Sequence, residues 1–101
     1  MVLPTRLWIA GLMDERAVPP HIRRHCCMVR DVAMAAAAAL NLRGECLDLD
    51  LVEAGALLHD ICKYDSILAG GDHARMGAEL LCTRGYPEVA SIIGQHVRLE
   101  S

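Results

Sequence analysis

GALLHDICKYD, residues Gly55 to Asp65, is the stretch on which the reading of this chain turns. An apolar run with helical periodicity ends in two adjacent polar groups, His59 and Asp60, and Lys63 follows one turn later. Neighbouring residues on an α-helix point about 100° apart, so an imidazole and a carboxylate in sequence cannot share one ideal stripe. They can flank a single point in space where a helix ends and the chain unwinds. The glycine pair in "LAGGD" and Asp65 soon afterwards agree with such a distortion. A carboxylate aimed at the core is costly unless it is paired or bound to a metal.

Working outward, the 101 residues are 53% hydrophobic but only 3% aromatic, so the apolar fraction is carried by Ala, Leu, Val and Ile. Ala and Leu favour helices, and the aromatic residues that favour sheets are nearly absent. The expectation is an all-α fold in one domain spanning 1–101, with an N-terminal helix within 1–17 and a core region over 18–98. A net charge of -3 with both signs interspersed gives no basic stripe for nucleic acid and no polybasic anchor. No apolar run approaches the roughly 20 residues that span a membrane, and "RLWIAGLM" is short for a secretory leader. A cytoplasmic location is expected. Five cysteines, an odd count without a CxxC pair, read as reduced and mostly buried.

The periodicity predicts a compact bundle of about five helices. The first begins near Pro4 and ends before Val18-Pro19-Pro20. The second runs from those prolines to about Leu42, with a stripe of Ile22, Cys26, Val29, Ala33, Ala36 and Leu40. Its Ala35–Ala39 run predicts close packing against neighbours. Asp50 is expected to cap the third helix, with Glu53 completing a capping box, and Ile61 to lie within that helix. Asp72 caps the fourth, and Pro87 opens the fifth, striped by Val89, Ile92, Ile93 and Val97.

Four of the five histidines lie on or beside these apolar faces, each on a different helix. His25 borders the second stripe, His59 ends the third helix, His73 follows an N-cap, and His96 falls one turn after Ile92 and Ile93. His21, beside the prolines, reads as solvent-exposed. A single buried histidine is ordinarily satisfied by one hydrogen bond. Four together with a carboxylate pose a larger demand, because each buried ring needs partners for two nitrogens. A divalent metal meets that demand, and neutral imidazoles with a carboxylate suit zinc, iron or manganese. Lys63 would stand on the rim, where an ammonium can hold a phosphate as a point charge.

These residues resemble a known family. His25 and His59-Asp60 match the first three parts of the H…HD…D signature of HD-domain metal-dependent phosphohydrolases, and "LLHDICK" is close to the family's form of that motif. "GDHARMGAELL" with His73 and "IIGQHV" with His96 are similar to the additional histidines of dinuclear, HDIG-type members. The resemblance covers about residues 18–98. It implies one or two divalent transition-metal ions, with His25, His59 and Asp60 holding the first, Asp60 bridging, and His73 and His96 holding the second. It also implies a metal-activated water attacking a small phosphorylated substrate, a nucleotide or another phosphoester, with Asp60 and Lys63 catalytic. Arg24 and Arg98 are further candidates to clamp phosphate.

The family signature closes with a second aspartate on a later helix, whereas this sequence ends at "HVRLES". A shortened piece, a truncated gene and a site completed by a partner chain all account for that ending. It motivates an alternative function, a non-catalytic regulatory module that binds metal or nucleotide. Loss of a covering helix would expose apolar surface, which leads to an expected homo-oligomer.

Overall fold

The computed structural model describes the backbone of residues 1–100 and the side-chain surroundings of residues 1–94. Among these the fold is all-α, with six helices: α1 (Arg6–Glu15), α2 (Pro20–Leu42), α3 (Leu49–Leu58), α4 (Lys63–Ala69), α5 (His73–Thr83) and α6 (Pro87–Glu100). Five of them answer to the five expected. The sixth, α4, arises because the chain turns at residues 59–62 instead of carrying the third helix through Ile61.

Helix α3 is the central post. Its residues Ala54 to Leu58 are all buried, with α2 and α6 against it and α1 alongside. Helices α5 and α6 pack as a pair, and Leu81, Val89 and Ile93 join Leu58 and Ile61 in the core, each of these five at most 1% exposed. Burying an aliphatic side chain of this kind contributes about 1.5–3 kcal/mol. Gly77 permits the approach of α5, since a Cβ there would lie 3.2 Å from Ile61 Cγ2 and 3.4 Å from Ile93 Cγ2.

Polar contacts fix the ends. Thr5 caps α1 by accepting from the Trp8 N–H. Arg6 donates twice to the Glu53 carboxylate, at 2.9 and 2.7 Å, tying α1 to α3. Arg23 donates to the carbonyls of Val18 and Met13 and to Asp14, which sets the angle between α1 and α2. Trp8 and Tyr86 meet edge to face with ring centroids 4.8 Å apart.

Three expectations need correction. The cap of α3 is Asp48, whose Oδ1 accepts from the N–H groups of Asp50 and Leu51, while Glu53 is engaged by Arg6 and forms no capping box. Asn41 holds the preceding loop through Leu47, so the helix begins earlier than Asp50. The alanine run of α2 is mostly open: Ala37 is buried, but Ala35, Ala36, Ala38, Ala39 and Leu40 are exposed because only one face of α2 is covered, chiefly by α3. Among the cysteines, all free, Cys26 and Cys62 are buried and Cys27, Cys46 and Cys82 are exposed. Among the described residues, no helix is long and apolar enough to cross a membrane.

Candidate metal centre

The turn at residues 59–62 places His59 and Asp60 together. Leu58 ends α3, His59 occupies its C-cap with φ -60° and ψ -28°, and α4 starts at Lys63. The main chain rotates there, so two consecutive side chains face one region. Both are buried, His59 at 7% and Asp60 at 3% exposure.

Asp60 is the hub. Its Oδ2 lies 3.2 Å from His59 Nε2 and 3.5 Å from His25 Nε2, while its Oδ1 lies 3.4 Å from His73 Nε2. Helix α2 supplies His25, half-exposed, and the first residue of α5 supplies His73 beside the Asp72 cap. The His25 and His59 rings are 5.6 Å apart between centroids. The two carboxylate oxygens therefore face different histidines.

His59 Nδ1 is 2.6 Å from the Ala56 carbonyl, which can only accept, so that nitrogen carries the proton and donates. Unless the ring is also protonated at Nε2, a lone pair then confronts Asp60 Oδ2 across 3.2 Å. A cation must separate the two acceptors, either a proton or a metal. Without a metal, the proton is held. Burial works to lower the His59 pKa, but the Asp60 hydrogen bond and the Ala56 carbonyl outweigh it and raise it above the ordinary value. Burial works to raise the Asp60 pKa, and is outweighed by His59, with Lys63 and His73 adding to the reduction. Beneath them, burial, reinforced by the Asp60 charge, pushes the Cys26 thiol up to about 11.

The donor set fits a divalent ion. Ligand atoms of His25, His59 and Asp60 lie within 4.8 Å of one another. Ligands about 2.1 Å from a shared ion stand about 3–4 Å apart, so the nitrogen–oxygen separations need little adjustment. The Nδ1–H to carbonyl bond of His59 is the outer support that orients a ligating imidazole.

Of the residues singled out in the sequence, His25, His59, Asp60 and His73 converge. Lys63 lies at the mouth, lining a cavity of about 190 Å³ with His21, Ile22, His25, Asp60 and Ile67. His96 and Arg98 fall outside the described side chains. Arg24 is exposed and does not line that cavity. His21 was the residue whose position the sequence left unused, although its i, i+4 spacing from His25 puts both on one face of α2.

A family model described as HD domain matches residues 22–101. The chain belongs to the HD-domain family. Among its relatives, this HD-domain protein is 35% identical over 75 residues to an uncharacterized protein of Methanocaldococcus jannaschii, covering 74% of this chain and 43% of the relative. It is 31% identical over 97 residues to a tRNA (cytidine(56)-2'-O)-methyltransferase of Thermoplasma volcanium, covering 95% of this chain and 27% of the relative. The chain thus spans less than half the length of the curated relatives it matches. No solved structure matches it.

Proposed function

We propose that this HD-domain protein is a metal-dependent phosphohydrolase acting on a nucleotide or another small phosphoester. The observation carrying the reading is the buried Asp60 carboxylate, with His25 and His59 on one oxygen and His73 on the other. His25, His59 and Asp60 would hold one divalent ion, and His73 on the free side of Asp60 would hold another. A bound ion of this kind lowers the pKa of its water toward neutrality and offsets charge developing on phosphoryl oxygens. Asp60 orients both histidine groups, and its negative charge favours a cation between them. Lys63 faces the same cavity and holds the phosphate as a point charge.

The test is elemental analysis of protein purified without chelator, followed by a phosphoester panel with iron, manganese and zinc. Bound ion with turnover supports the reading. Failure to take up any ion on reconstitution would sink it.

A second reading is a binding module within a larger assembly. The match to about a quarter of a methyltransferase favours it, since similar sequence there forms part of a longer protein. Ion and nucleotide binding that raise the melting temperature without hydrolysis would select this reading. Self-association is a separate proposal, supported by exposed Met28, Val32 and Leu42 on α2. A monomer by light scattering at about the concentration used for the panel removes it.

A further inference from the structure

The cavity beside Asp60 has two kinds of wall. His21, His25, Asp60 and Lys63 form a polar side, and Ile22 and Ile67 an apolar one. Its volume of about 190 Å³ is below the 300–1,000 Å³ of sites that enclose a whole small molecule. It has room for a phosphoryl group but not for a nucleoside. Ile67 is 67% exposed at the edge, so an organic group attached to that phosphate would extend over it into solvent.

The charges favour one phosphate type. The ion on His25, His59 and Asp60 and the Lys63 ammonium, set against the Asp60 carboxylate, leave about two positive charges facing the cavity, which His73 and an ion on it do not line. A terminal phosphate monoester brings two negative charges at neutral pH, whereas a diester brings one. His21 stands one turn before His25 on the same face of α2, so its ring can donate to a phosphoryl oxygen that Lys63 approaches from α4.

We propose that this cavity is a subsite for a terminal, dianionic phosphate, with His21 and Lys63 as its donors. The substrate is then a phosphomonoester whose organic group is weakly selected. His21 is a specificity-determining residue that touches substrate and does not ligate metal. The inference rests on the metal-centre reading above.

The test is calorimetric binding of methylphosphonate and dimethyl phosphate to ion-loaded protein, at a pH alkaline enough for the phosphonate to carry two negative charges, paired with metal content and melting temperature. Methylphosphonate should bind at least about tenfold more tightly than dimethyl phosphate, the difference expected from one charge-assisted contact. His21→Ala should weaken methylphosphonate by about tenfold, with metal content, melting temperature and dimethyl phosphate binding unchanged. His21→Gln, which keeps a donor, should recover part of that loss. Equal binding of the two probes overturns the proposal, as does unchanged methylphosphonate binding in His21→Ala. A fall in metal content in His21→Ala also overturns it, because His21 would then be a ligand. These outcomes leave the metal centre standing, whereas a chain that takes up no ion overturns both.

Discussion

Asp60→Asn removes one charge, keeps the side-chain volume and tests the hub directly. If Asp60 ligates the ion, wild-type protein at an ion concentration about one hundred times its Kd gains about 2.7 kcal/mol from binding. For a domain of this length each kcal/mol shifts the melting temperature by about 4–8 °C, so the ion should raise it by about 10–20 °C. Removing a group that merely orients a ligand costs 10–100-fold in affinity, and a ligand held at 3.2–3.5 Å from two imidazoles should reach at least the upper end. At the same ion concentration a hundredfold loss leaves about 0.4 kcal/mol, or about 2–3 °C. The metal-free variant will itself melt lower, since its amide replaces a buried carboxylate partnered by three histidines. The assay is therefore the difference between ion-loaded and metal-free melting within each protein, at fixed pH and ionic strength. An Asp60→Asn protein whose ion-induced rise matches wild type would refute the assignment of Asp60 as a ligand.

Three other outcomes are expected. His73→Ala should abolish one phase of a calorimetric metal titration and spare the other, because His73 faces Oδ1 while His25 and His59 face Oδ2; loss of neither phase would exclude His73 as a ligand. In metal-free protein, the depressed Asp60 pKa contributes stability that is present above its unfolded value of about 3.9 and disappears as pH falls through the folded value. The raised His59 pKa contributes stability that is present below about 6.5 and disappears as pH rises through the folded value. Denaturant titrations should therefore peak between those limits, while metal-induced stabilisation grows across the same rise in pH because the ion requires neutral imidazole; parallel profiles would contradict this. Gly11→Ala, where no atom lies within 4 Å of the new Cβ, should stabilise by up to about 1 kcal/mol, whereas Gly77→Ala should destabilise by about 1–2 kcal/mol because Ile61 and Ile93 are too buried to move aside. Urea midpoints check both, and equal signs would overturn that account.

The all-α class and five of the six helices were legible in the sequence, and so was the helix end at His59-Asp60. His59-Asp60 required a helix end, and the turn at 59–62 provides one, because a single geometric fact about adjacent helical residues governed the inference. The helix after that turn was not legible. KYDSILA is only 7 residues long and lacks a side-chain cap, so periodicity had too little length to separate it from its neighbour. The cap of α3 was misplaced for a related reason. Asp50 has the better capping pattern, with Glu53 three residues on, and it takes long-range contacts, Arg6 with Glu53 and Asn41 with Leu47, to give the role to Asp48 instead. The openness of the α2 alanines depends on which face other helices cover, a tertiary property that small side chains do not encode. His21 reads as exposed in the sequence and is exposed in the structure, where it lines the cavity beside Asp60, a placement that its neighbours in sequence do not encode.

The three histidines around Asp60 come from α2, the joint before α4, and α5, so the hub draws together residues 25, 60 and 73 from separate stretches of chain. An ion held there would act as a reversible crosslink between them. The ion on His25, His59 and Asp60 would be captured only after α2 had docked on the joint before α4, and one on His73 only after α5 had followed, which makes uptake a late event in folding. Its removal would precede unfolding along the reverse path. Proteolysis in the presence of a chelator should then proceed at a rate limited by ion release, so that the lifetime of the folded chain is set by the rate of ion dissociation as much as by its core.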